Sequence, residues 1–124
     1  MATKKLFDLP IPQSGCGDTH LGSNGTEAIL RFEFRSHGKD LIGMIHFHGL
    51  VAYRYRDERH SLGYPSEAYE AVTELNDSEW CRELNFSGKH IGVFLSSNGF
   101  FEFLADSVTL GDSVEGRLPN VQLT

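Results

Sequence analysis

Cysteine is nearly missing from this chain. It has two in 124 residues, Cys16 in a glycine-rich stretch and Cys81 beside the single tryptophan. Two thiols in neither CxxC spacing nor a paired framework exclude a disulfide-stapled fold and a cysteine metal knuckle. Long apolar runs are missing too. None approaches the ~20 residues of a membrane-spanning helix, and residues 1–10 lack the apolar core of a signal peptide, so a cytoplasmic location without a membrane role is expected. Basic charge is scarce in the second half: residues 66–124 hold three Lys/Arg against ten Asp/Glu, a net of −7, whereas residues 1–65 hold eight against seven, a net of +1. That excludes the basic face with which a nucleic-acid binder displaces counterions. It favours a basic protein partner.

What is present is ordinary for a globular chain. Hydrophobic residues make up 40% and charged ones 23%, enough for one core, so residues 1–124 are expected to form a single domain without repeats. Residues 1–27 hold many turn formers and no sustained period, and read as an irregular lead-in with room for one short strand. Gly15, Gly17 and Gly22 within it are no phosphate cradle, since no apolar strand precedes them and the Lys-Ser/Thr ending is absent.

From Ala28 the period becomes two. Leu30, Phe32 and Phe34 alternate with Arg31, Glu33 and Arg35, a half-buried strand closed by a turn at residues 36–40. A longer strand follows over residues 41–56. Leu41, Ile45, Phe47, Val51, Tyr53 and Tyr55 form its better apolar face, and Gly49 marks a bend. Pro65-Ser66-Glu67 then predicts a helix in which Ala68, Tyr69, Val72 and Leu75 recur at helical spacing and Glu67, Glu70, Glu74 and Asp77 form an acidic stripe. Ser78 is a candidate cap for a helical turn over residues 78–84, with period two as the alternative there.

Asn98-Gly99 between two apolar runs is the preferred two-residue hairpin turn, because both of its central residues take positive φ. Counting outward pairs Phe94 with Phe103 and Val93 with Leu104. Both faces of such a ribbon are apolar. Burying one of these side chains is worth ~1.5–3 kcal/mol, so neither face can be left to water. The helix is expected to cover one face, with the long loop, the carboxy-terminal segment or a second subunit over the other. Residues 107–110 are a further short strand.

Among chemical candidates, His46 and His48 lie two apart on a strand and so share a face, as paired metal ligands do. The carboxylate that would complete such a set is absent from residues 50–54, and Arg54 and Arg56 fall on the same face if the register continues, which opposes a cation. His60 and His90 are the remaining candidates for that cluster. A small metal- or ligand-binding enzyme using His46, His48 and His90 is thus the alternative reading. No Gly-x-Ser-x-Gly elbow is present, no catalytic residue is assigned, and no cofactor is expected.

Over residues 45–108, the apolar strand Phe47-His48-Gly49-Leu50-Val51-Ala52-Tyr53-Arg54, then Ser78-Glu79-Trp80, then Lys89-His90-Ile91-Gly92-Val93-Phe94-Leu95 leading into Phe101-Glu102-Phe103-Leu104-Ala105, resemble small uncharacterised bacterial α+β proteins of immunity-protein type. The resemblance implies a bacterial cytoplasmic protein that acts by binding. The expectation from sequence is therefore an α+β fold, a mainly antiparallel sheet of about four to six strands with one acidic helix packed on one face. The expected function is non-catalytic binding of a basic protein, of immunity or regulatory type, through Glu67, Glu70, Glu74 and Asp77, with a homodimer contact as a further partner surface.

Overall fold

A computed structural model, which describes residues 3–13, 15–60 and 63–118, places the chain in two antiparallel sheets packed face to face. Among the described residues the strands are β1 (Thr3–Asp8), β2 (Cys16–Asn24), β3 (Glu27–Ser36), β4 (Lys39–His48), β5 (Ala52–Asp57), β6 (Ala71–Leu75), β7 (Lys89–Leu95), β8 (Gly99–Ala105), β9 (Ser107–Leu110) and β10 (Val114–Glu115). The first sheet runs β1-β6-β7-β8-β5. The second runs β10-β4-β3-β2, with β9 also paired to β4.

The alternation in β3 becomes a buried face of Ala28, Leu30, Phe32 and Phe34, which β4 extends with Ile45 and Phe47. His37 and Gly38 take positive φ in the turn between them, the conformation that a tight hairpin of this twist requires. Opposite stand Val72, Ile91, Val93, Leu95, Phe101, Phe103 and Ala105 of the first sheet. The rings of Phe47 and Phe103 stack across the interface with centroids 3.7 Å apart. One sheet therefore covers the other, in the place where a helix was expected.

The predicted long strand breaks at Gly49, whose φ is +66°, and where a Cβ would overlap the Asp106 carboxylate. Beyond it the chain crosses from the second sheet to the first, so β4 and β5 belong to different layers. The lead-in also differs from expectation, since it carries β1 and β2. A register shift interrupts each of them, between Lys5 and Phe7 and between Cys16 and Thr19, which hides the period of two.

The α+β expectation is overturned. Residues 66–68 form one 3-10 turn and residues 71–75 are β6, paired with β1 and β7. Glu70 at φ +49° separates the two. Ala71, Val72, Thr73 and Leu75 are all buried, so this central strand shows no polar alternation, and its apolar residues imitate helical spacing. The one α-helix among the described residues is α1 (Glu79–Glu83), capped by the Ser78 side chain, which accepts from the Cys81 N–H.

The ribbon of β7 and β8 is buried on both faces, as its composition requires. Its register differs from the predicted one: Phe94 pairs with Phe100 and Val93 with Phe101 around residues 96–98. Ser97 at φ +64° and Gly99 at φ +140° make the turn, three residues long where two were expected. The outer face is sheltered by the chain itself. Ala68, Leu75, Phe94 and Phe100 form a second small core there, with the Tyr64 ring stacked on Phe94 at 4.0 Å.

Candidate functional site

The outer face of the first sheet carries a dense polar construction centred on Glu102. Outward-facing positions of β8 alternate Phe100, Glu102 and Leu104, because Phe101, Phe103 and Ala105 fill the core between the sheets. Glu102 is thus a carboxylate set in a strand that is apolar on both sides, and its side chain is 5% exposed. A charge in that position needs partners. Arg54 on β5 supplies two parallel hydrogen bonds, Nε and Nη2 each at 3.0 Å from the carboxylate oxygens. Arg56 adds a guanidinium nitrogen at 3.9 Å. His90 on β7 approaches with Nε2 at 2.8 Å, and its Nδ1 lies 2.7 Å from the Ser78 hydroxyl.

Directions follow from the donors. The carboxylate accepts from His90 Nε2–H, the Ser78 hydroxyl lies in hydrogen-bond contact with Nδ1, and Ser78 Oγ accepts the Cys81 N–H. Trp80 closes the construction by setting its edge against His90 and its face under the Arg54 guanidinium, 4.1 Å from the ring centre, a favourable cation–π position. Burial pushes the Glu102 carboxyl up. The hydrogen bonds from His90 and Arg54 and their charge outweigh that, and hold it at about 2.

This construction borders a cleft of about 500 Å³, lined in part by Arg54, Arg56, Tyr64, Glu67, His90 and Glu102. Ser78 is not among the lining residues and is itself buried. A serine, a histidine and a glutamate are therefore in contact, with the hydroxyl capping α1 outside the lining of this cleft.

The predicted site residues disperse. His46 and His48 lie on β4 of the second sheet, and His90 on β7 of the first, so the three do not converge. Both ring nitrogens of His48 are engaged, Nδ1 with Glu27 at 3.0 Å and Nε2 with the Thr109 hydroxyl at 3.0 Å. The bond from His48 lowers the Glu27 carboxyl below its ordinary value. Arg54 and Arg56 do not share the histidines' face, because the crossing at Gly49 carries them to the other sheet. Among the described residues, no three His, Cys, Asp or Glu side chains gather as a metal site.

The acidic stripe loses its helix and its common face. Glu67 sits in the 3-10 turn beside the cleft, Glu70 accepts from the Ser96 hydroxyl at 2.5 Å, Glu74 pairs with Lys89 at 3.4 Å, and Asp77 occupies a turn at φ +56°. Cys16 is buried, and burial with Glu70, Glu33 and Asp18 nearby pushes its thiol up to about 12, which leaves it inert as a nucleophile.

The margin of the first sheet beside the cleft went unnoticed from sequence. On β5, Tyr53 and Tyr55 lean against Phe103 and Phe101 of the inner face, while Arg54 and Arg56 face outward over the cleft. Tyr53 is 51% exposed, Tyr55 48% and the preceding Val51 54%, three of the seven exposed large apolar side chains among the described residues, within five positions of one another. Comparison with protein-family models, curated proteins and solved structures finds no match. The reading of this surface therefore rests on its own chemistry. Its signal in the sequence was the alternation Tyr-Arg-Tyr-Arg, together with Glu102 as the one charge in an otherwise apolar run.

Proposed function

We propose that this protein acts by non-catalytic recognition of another protein, through the β5 margin of its first sheet and the adjoining cleft. The observation that carries the reading is the run Val51, Tyr53 and Tyr55, half exposed along a strand that ends a sheet. Tyrosine and arginine are the residues that anchor interfaces most often, since each joins a large contact area to a polar tip. Here they alternate on one strand. The polar groups beneath, Glu102, His90 and Ser78, are occupied with one another, so they stiffen the surface. An inhibitory or immunity-type role, in which such a surface covers a partner's working face, is one form of this function. A metal-dependent enzyme built on His46 and His48 draws less support, because His48 already spends both nitrogens on neighbours.

Selection of a displayed peptide and protein-fragment library on the immobilised protein tests the reading. Ligands should be enriched that lose binding to a Val51→Ser, Tyr53→Ser variant whose circular dichroism matches the parent. Enriched ligands that bind parent and variant equally would contradict it. So would hydrolysis of an ester panel that disappears with Ser78→Ala.

A further inference from the structure

We infer that Asn24 is a site of spontaneous chemical modification in the folded protein: the Gly25 nitrogen attacks its side chain and converts it to isoaspartate or aspartate, while the second Asn-Gly pair, Asn98-Gly99, is held intact. The chain has five asparagines, and glycine follows two of them.

The reaction closes a five-membered ring. The Gly25 amide nitrogen loses its proton and bonds to Asn24 Cγ, the Cγ–Nδ2 bond breaks, and Nδ2 leaves as ammonia. Water then opens the cyclic imide. Opening at the side-chain carbonyl gives aspartate; opening at the main-chain carbonyl gives isoaspartate, in which the backbone runs through Cγ. Nothing is oxidised or reduced, and water is the one co-reactant. Two conditions govern the rate: the side chain must swing onto the next nitrogen, and that nitrogen must be bare. Glycine leaves it barest, having no side chain of its own.

Asn24 meets both conditions. It ends β2 in register with Glu27, so Gly25 and Thr26 alone form the hairpin loop. Gly25 takes φ +65°, and a Cβ placed on it would meet nothing within 4 Å. Asn24 is exposed, and among the described residues neither its side-chain amide nor the Gly25 N–H has a hydrogen-bond partner. The nucleophile and the carbon it attacks are both uncommitted.

Asn98 has the same sequence neighbour and opposite surroundings. Its Nδ2 donates to the Gly17 carbonyl at 2.8 Å and to the Ser96 carbonyl at 3.1 Å, and its Oδ1 accepts from the Thr19 hydroxyl at 3.1 Å. Gly99 is paired with Leu95 on one side and with Asp57 on the other. Turning Cγ onto the Gly99 nitrogen would break those side-chain bonds and disturb both ladders. Cyclisation there waits for local unfolding.

The Asn24 turn holds more than its own hairpin. The Thr26 carbonyl accepts from the Leu50 N–H at 2.7 Å, which ties the loop to the segment that crosses between the sheets. Isoaspartate at position 24 adds an atom to the backbone of a hairpin whose loop length fixes its register. The tie to Leu50 loosens with it.

Peptide mapping by mass spectrometry, on full-length protein aged in mildly alkaline buffer with and without urea, tests this. In the folded protein isoaspartate is expected at Asn24 at least about tenfold faster than at Asn98, because the bonds of Asn98 must open first. In urea the two rates should converge. Asn24→Gln should remove the folded-state signal, since its ring would have six members. The isoaspartate form, isolated by chromatography, should exchange its Leu50 amide hydrogen faster than the parent. Equal rates at the two sites in the folded protein would overturn the inference, as would an Asn24 that reacts only in urea, or a signal of undiminished size in Asn24→Gln. An unchanged Leu50 amide would overturn the loosening of the crossing.

Discussion

Glu102 decides more than any other single residue, because it is a buried charge on which Arg54, Arg56 and His90 converge. Glu102→Gln keeps the shape but takes the negative charge from between Arg54, Arg56 and His90, and breaking a buried pair of this kind costs ~3–5 kcal/mol. Arg54 is half exposed and recovers some of that by turning to water, so about 2–3 kcal/mol is expected in urea denaturation. The pH dependence has a definite sign. The folded value of about 2 lies below the ordinary carboxylate value of 4.5, so this contribution is fully present above that ordinary value and is lost as pH falls toward 2. The loss is on the order of 3 kcal/mol, and unfolding followed from pH 6 to pH 2 would show it. Glu102→Gln should flatten that part of the profile. At this scale the sequence was half legible. A lone carboxylate in Phe100–Ala105 announces a buried partner, but nothing in the sequence says that the partner is Arg54, which is 48 residues away.

At the scale of elements, tight packing makes small additions costly. A Cβ on Gly43 would run into the Phe32 ring of the neighbouring strand, so Gly43→Ala should destabilise by about 1–3 kcal/mol through forced repacking. Ser78→Ala removes both the α1 cap and the hydroxyl that faces His90, at about 1–2 kcal/mol. Parallel denaturation of the two variants checks both. The elements easiest to read were those with one wet face: β3 follows its alternation almost residue for residue. Central strands such as β6 are buried on both sides and lose that signal, which is why residues 67–75 imitated a helix. The hairpin at Asn98 and Gly99 was visible as a turn but not in its register. Gly99 takes φ +140° rather than a primed-turn value and packs against the Arg56 carbonyl, a long-range contact.

For the whole molecule, the doubly apolar ribbon of β7 and β8 required shelter on both sides, and the requirement was sound where the proposed cover was not. A second sheet lies on one side, and the segment around Tyr64 and Ala68 lies on the other. Both covers come from the same chain, so the ribbon itself needs no second copy. What remains outside is the β5 margin. Val51→Ser with Tyr53→Ser should change stability by no more than about 1–2 kcal/mol, since both side chains are already half in water, yet should abolish ligand binding.

Amide hydrogen exchange, with and without a ligand selected from the displayed library at saturation, tests the account most directly. The account predicts that slowing appears in β5, over residues 52–55, and leaves the margins at β1 and β2 unchanged. Slowing at those other margins with β5 unaffected, or ligand binding without any change in β5, would contradict it.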